Sequence, residues 1–225
     1  ILLQRLTDRL RSPVQRADEL AATLAAGSVG SLTPEQDVIA RQITENTGCA
    51  LATLDAVQQL ATLRQGAVEI MPLVFSAAML LREVERLVQD RVQAREQALT
   101  IVYPNTELRA VADYQRILVL VVDLVDNASR YTPPGGAIRL SAETLGTHVL
   151  FTIADSGIGL TEEDLEHVGE PFWRATNQPL VSQHCGTGLR LYLARQLLPL
   201  QGGDLIFSGE PGVGSTFSFT LPVAR

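Results

Sequence analysis

Apolar residues in the first 65 positions recur at helical spacing. Leu3, Leu6, Leu10, Pro13, Ala17, Leu20 and Leu24 follow one another in alternating steps of three and four, the spacing of a coiled-coil seam. Pro13 lies inside that seam, and its missing backbone donor predicts a kink. The pattern stops at Gly27-Ser28-Val29-Gly30-Ser31, which reads as a turn. A new helix start follows, with Thr33 as N-cap, Pro34 at the first helical position and Gln36 completing a capping box. Ile39, Ile43, Ala50, Leu54, Val57 and Leu60 carry this second helix to an end near Gly66. Two long helices on a short loop predict an antiparallel hairpin. One hairpin covers only one seam per helix, so pairing with a second copy into a four-helix bundle is expected. The helical pattern is already under way at residue 1 with no cap before it, so the chain is expected to be part of a longer protein.

From residue 67 the periodicity is mixed. Residues 77–95 read as a helix with Leu80, Val84, Leu87 and Val88 on one side, and residues 99–103 as a strand. Asp113 caps a predicted helix that runs to about Arg130 and ends before the turn Pro133-Pro134-Gly135-Gly136. Residues 137–143 and 149–154 alternate as the two arms of a hairpin around Leu145-Gly146-Thr147. A helix is predicted from Gly188 to about Leu198, then strands at 204–208 and 215–221. Helices mixed with neighbouring antiparallel strands predict an α+β layer rather than a doubly wound sheet. The division is therefore a hairpin over 1–66 and a second domain over 67–225.

Composition narrows the function classes. At 225 residues with 46% apolar and 19% charged positions, the chain is long enough for a sizeable core and too apolar for a disordered segment. The net charge of −7 argues against a nucleic-acid partner. Cys49 and Cys185 stand far apart, which suggests neither a disulfide framework nor a zinc site and fits a reducing compartment. The longest apolar run, residues 117–122, is too short to span a bilayer, so a membrane could enter only through a region upstream of residue 1. All 18 basic residues are arginine, so every cationic role falls to a fixed, forked guanidinium.

Four short segments of the second half contain unusual combinations of residues. In Asp123-Leu124-Val125-Asp126-Asn127-Ala128, Asp123 and Asn127 are one helical turn apart, so their oxygens can share one hard cation with phosphate. Alone, this is no more than a polar edge on an apolar helix. Asp155-Ser156-Gly157-Ile158-Gly159 follows a strand; its carboxylate can accept from an exocyclic amine and its glycines let a ligand reach the backbone, but alone it is a weak signal, since such turns are common. Gly186-Thr187-Gly188-Leu189 precedes a helix and exposes free N–H groups there, which suits phosphate. Gly212-Val213-Gly214-Ser215-Thr216-Phe217 reads equally as a hairpin turn.

In this order and spacing the four segments resemble the N-box and the three glycine boxes of the ATP-binding domain of sensor histidine kinases. Glu170-Pro171-Phe172-Trp173-Arg174 resembles that family's phenylalanine box, and Asp113 with Arg116 the start of its N-box helix. Leu10-Arg11-Ser12-Pro13 resembles the end of the His-box on the first helix of the family's dimerisation hairpin. The resemblance covers nearly the whole chain. It implies a helical hairpin that dimerises, followed by an α/β sandwich that holds ATP with Mg²⁺ under a lid over residues 170–185. It also implies that Asp155 binds the adenine amine, Gly157 and Gly159 line the base, Tyr131 packs on it and Arg130 stands near the phosphates. Asn127 and Asp123 would hold the metal. Arg174 would reach the terminal phosphate, and Gly186, Thr187, Gly188 and Leu189 would wrap the phosphates.

Three departures qualify the resemblance. In the run Thr7-Asp8-Arg9-Leu10-Arg11-Ser12-Pro13, Asp8 stands where the family has its phosphate-accepting histidine, and Arg9 where it has the neighbouring acid. The histidines of the chain, His148, His167 and His184, all fall in the second half. Asp123 replaces the usual asparagine, and related ATPases carry a glutamate base at that place. Arg190 follows Gly188-Leu189 where a glycine is usual. The expectation is the cytoplasmic core of a sensor histidine kinase that binds Mg-ATP and has lost its own acceptor, acting through its dimer, a response regulator or a partner kinase. The alternatives are a response-regulator phosphatase, with Ser12 orienting water, a trans-phosphorylating kinase, or a plain ATPase.

Overall fold

The computed structural model describes residues 2–28, 30–174 and 186–224. The described residues fall into two compact units: those up to residue 68 with 186–189, and those of 69–174 with 190–224.

The first unit is the helical hairpin. Helix α1 (Leu2–Ala25) and helix α2 (Pro34–Arg64) are joined by a turn in which Gly27 and Gly30 take positive φ. The start of α2 forms as its sequence requires: the Thr33 hydroxyl accepts from Gln36 N, and the Gln36 side chain accepts from Thr33 N at 2.9 Å. Helix α1 continues unbroken through Pro13, the flanking turns holding the segment where one backbone bond is lost. Among the described residues, the buried positions of the hairpin are Thr7, Ala21, Ala40, Ala56 and Ala61, small side chains that let two helices approach closely. Polar links fix the register: Thr47 donates to Asp18 at 2.6 Å, and Arg11 bridges Asp55 and Gln58. Leu6, Leu10, Leu20 and Leu24 of α1 and Val38, Ile39 and Ile43 of α2 are exposed.

The second unit is a layer of helices on a mixed sheet. Strand β1 (Leu73–Ser76) pairs antiparallel with β3 (Arg109–Ala112) as a small ribbon. Strands β2 (Ala98–Val102), β4 (Ala137–Leu145), β5 (His148–Asp155), β6 (Leu205–Glu210) and β7 (Gly214–Pro222) form a five-stranded sheet in the order β2-β4-β5-β7-β6. Parallel pairing of β2 with β4 requires a crossover, and helix α4 (Tyr114–Tyr131) lies within it. Helix α3 (Ala77–Gln93) packs beside α4. Among the described residues the remaining helices are short: α5 (Glu162–His167), α6 (Arg190–Leu197) and a 3₁₀ turn at Pro199–Gln201.

Burial follows the two periods. Leu80, Leu81, Val84 and Val88 of α3 and Ile117, Val121, Leu124 and Val125 of α4 turn one stripe inward. Alternate residues Ile138, Leu140 and Ala142 of β4 and Val149, Phe151 and Ile153 of β5 meet them. Phe151 pairs directly with Phe219, their rings stacked with centroids 4.9 Å apart. The predicted helices and strands of this half are present within a few residues of the expected ends. β1, β3, α5 and the 3₁₀ turn are additions, each six residues or shorter.

Candidate nucleotide-binding site

Helix α4 sets one wall of the site. Asp113 caps it, accepting from Arg116 N at 3.3 Å while its own N–H donates to the buried Gln201 side chain at 2.8 Å. With the apolar stripe of α4 held on the sheet, Asp123, Asn127 and Tyr131 fall at four-residue steps along its half-buried edge. The helix ends on Gln97. This buried side chain donates to Ser129 O at 2.8 Å and to Thr132 O, and accepts from the Ser129 hydroxyl at 2.6 Å. Terminal carbonyls that would otherwise lack partners are thereby satisfied, and the position of Tyr131 is set. Gln97 carries no motif and was invisible in the sequence.

The loop after β5 sets the second wall. Asp155 Oδ1 accepts from Gly157 N at 2.9 Å and from Ser215 N at 3.3 Å, which aims the carboxylate and leaves Oδ2 without a partner among the described residues. Burial pushes the Asp155 carboxyl up from its ordinary value, and the two backbone N–H groups pull it back. The loop passes directly beneath the end of α4: Ile158 N donates to Tyr131 O at 3.0 Å. A Cβ at position 157 would overlap that same Tyr131 oxygen. Gly159 has φ +73°, and a Cβ there would overlap the Glu210 carbonyl oxygen. The third glycine segment is more than a hairpin turn. Through Gly212 N, which donates to Ile158 O at 2.8 Å, and Ser215 N it holds the Asp155 loop from below. Ser156, unassigned in the sequence, ties the loop to the start of β4 by accepting from Ala137 N at 2.9 Å.

The two carboxylates within α4 are paired. Arg190 Nη1 donates to Asp123 Oδ1 at 2.6 Å, and Arg91 Nη1 to Asp126 Oδ2 at 2.8 Å. Burial pushes the Asp123 carboxyl up to about 6; Arg190 opposes this, Asp126 adds to it, and Arg130 and Arg91 oppose it further. Asn127 is half-buried, and its carboxamide has no hydrogen-bond partner among the described residues.

The other predicted residues lie as follows. Gly186, Thr187, Gly188 and Leu189 lead into α6, with Gly188 at φ +67° and Leu189 buried. Phe172 is exposed at φ +66°, Trp173 is half-buried 6.4 Å from the His167 ring, and Arg174 is half-buried. Of the lid, residues 175–185, including His184 and Cys185, lie outside the described residues. In the hairpin, Asp8, Arg9 and Ser12 are exposed on α1, and the Ser12 hydroxyl makes no hydrogen bond among the described residues. The structure thus brings Tyr131, Asp155, Gly157 and Gly159 to one place, with Asn127 and Asp123 continuing along α4. No helix among the described residues is long and apolar enough to cross a membrane.

Comparison with known proteins gives the family of this domain. Residues 112–225 match the family described as histidine kinase-, DNA gyrase B-, and HSP90-like ATPase. The chain is 29% identical to the histidine protein kinase DivJ of Caulobacter vibrioides over 98% of its own length and 37% of that protein's. It is 30% identical to the adaptive-response sensory kinase SasA of a Synechococcus species over its whole length and 59% of that protein's. It therefore spans less than two thirds of the length of these relatives. Among solved structures, full-length ShkA in complex with AMPPNP superposes over the whole chain and 46% of that protein, with a TM-score of 0.79 at 24% identity. The catalytic domain of the histidine kinase ThkA superposes over 69% of this chain and 96% of that domain, with a TM-score of 0.58 at 28% identity. On the matched ATPase domain and the kinases it resembles, the chain belongs to the histidine kinase-, DNA gyrase B- and HSP90-like ATPase family and carries the ATPase domain of a two-component histidine kinase.

Proposed function

We propose that this chain is the cytoplasmic core of a histidine-kinase-type signalling protein that binds Mg-ATP and does not phosphorylate itself. The observation that carries this reading is a contrast within the chain: the adenine loop is assembled around Asp155, while neither hairpin helix carries an imidazole. Asp155 Oδ2 accepts the adenine amine, Gly157 and Gly159 leave room for the base, and Tyr131 covers it. By motif, Arg130, Arg174, Gly186, Thr187, Gly188 and Leu189 are assigned to the phosphates. The unpartnered Asn127 carboxamide and the open oxygen of Asp123 fit a hard cation. Mg²⁺ bound there would offset phosphate charge.

At the acceptor position, Asp8 is exposed and Arg9 beside it is fixed as a cation. Incubation with Mg and radiolabelled ATP is expected to leave no acid-labile, base-stable label on the chain. Any label should be base-labile, as an acyl phosphate on Asp8 would be, and should vanish in Asp8→Asn. An Asp8→His/Arg9→Glu variant tests whether the ATPase domain can still deliver phosphate. Phosphohistidine at His148, His167 or His184 in the unaltered chain would overturn the reading.

We also propose a homodimer with a response regulator or partner kinase downstream. The exposed Leu6, Leu10, Leu20 and Leu24 stripe, with Val38, Ile39 and Ile43, supports it, since each leucine left in water forgoes roughly 1.5–3 kcal/mol. Light scattering is expected to give twice 24.4 kDa, and Leu10→Glu with Leu20→Glu to give the single mass. A folded wild-type monomer would refute the dimer. A second reading, response-regulator phosphatase, is favoured by the exposed Ser12 hydroxyl, and dephosphorylation of a phosphorylated regulator that is lost in Ser12→Ala would support it.

A further inference from the structure

The two positions at which the nucleotide motifs depart from the family pattern are in contact. Asp123 and Arg190 are 67 residues apart in sequence, yet the guanidinium of one is hydrogen-bonded to the carboxylate of the other. The side chains are 26% and 40% exposed, so the pair is open on one side to solvent. Arginine has five N–H donors in a planar fork. Only Nη1 is engaged by Asp123, and Nε and Nη2 have no partner among the described residues. Asp123 in turn sits eight residues from Tyr131, about 12 Å along the helix at 1.5 Å per residue, with Asn127 midway. Tyr131 abuts the Asp155 loop. A nucleotide whose base lies at that loop and whose tail follows α4 therefore runs toward the tethered guanidinium.

We propose that Arg190 is a phosphate-binding residue and that Asp123 is its positioning residue, one fork edge held by the carboxylate and the other facing the polyphosphate. The inference rests on the Mg-ATP reading above. Tethering removes rotamer freedom before the ligand arrives, which is how a long side chain becomes an efficient anion ligand. The competing explanation is that Arg190 merely neutralises a carboxylate that would otherwise repel phosphate.

Calorimetric titration of the full chain with ATP and with adenosine separates these explanations. Arg190→Gln is expected to weaken ATP about tenfold and to leave adenosine within about twofold, because only the phosphates meet the guanidinium. Arg190→Lys should recover part of the loss, keeping charge without the fork. Asp123→Asn/Arg190→Gln should bind ATP no better than Arg190→Gln. If the double variant regains wild-type affinity, Arg190 is only a neutraliser and the proposal fails. Unchanged ATP affinity in Arg190→Gln also defeats it. Arg190→Met, which keeps the aliphatic stem, replaces Arg190→Gln should the latter not fold. A wild-type chain that binds neither ATP nor adenosine would overturn the nucleotide reading itself, and the proposal with it.

Discussion

An Asp155→Asn variant is expected to bind ATP at least about tenfold more weakly than the wild-type chain, a loss of about 1.5–3 kcal/mol. Oδ1 of Asp155 is committed to Gly157 N and Ser215 N. An asparagine keeps that acceptor, since its carbonyl oxygen can take the same place. The substitution therefore turns the other position, and only that one, from an acceptor into an NH₂ donor. Two donors then face each other across the pocket, the asparagine amide and the adenine amine. Because the loop keeps its backbone bonds, melting temperature should change little while affinity collapses. Calorimetry that finds equal affinity would show that Asp155 does not read the base.

Gly159→Ala is expected to show the opposite balance, with stability lost as well as binding. The new methyl group would overlap the Glu210 carbonyl oxygen, a backbone atom that cannot rotate aside, and an L-residue would be held at φ +73°. Left-handed strain of roughly 1–2 kcal/mol adds to overpacking of roughly 1–3 kcal/mol, for a total of about 3 kcal/mol. In a chain of this size that lowers the melting temperature by about 6–12 °C. A thermal scan showing no shift would mean that β6 and the Asp155 loop do not lie in contact as described.

The two variants separate the roles of one loop. On the proposed reading, Asp155 contributes a ligand-facing atom and Gly159 the absence of one. The distinction explains why an Asp-Ser-Gly-Ile-Gly run was a weak signal alone. Short turns of this composition are common, and what distinguishes this one is the approach of Tyr131, Glu210 and Ser215 from three other elements.

Much was legible in the chain because its causes are local. The capping box of α2, the cap of α4 at Asp113 and the alternation in β4 and β5 depend on residues a few positions apart. The order of the nucleotide motifs was legible too, although their chemistry was clear only as a set. The inner seam of the hairpin was missed. The spacing marked apolar stripes and a second copy as their cover, but it did not name Thr7, Ala21, Ala40, Ala56 and Ala61, the positions buried among the described residues of the hairpin. Periodicity marks an apolar stripe but not which neighbour covers it, and small residues give almost no hydrophobic signal. Gln97 was missed for a related reason, since a glutamine that satisfies the end of a helix 32 residues away leaves no local pattern.

By itself, then, the amino-acid sequence determined the longer helices and the strands of the five-stranded sheet, the resemblance to the family and the absence of histidine from the hairpin, because each depends on residue identity or near-neighbour spacing. Only the tertiary structure decided that Arg190 reaches Asp123, that Asp155 is aimed by Gly157 and Ser215, and that the leucine stripe of α1 remains exposed. Those outcomes depend on which distant segments the sheet and its crossover helix bring within hydrogen-bond reach, and no spacing along the chain encodes that distance.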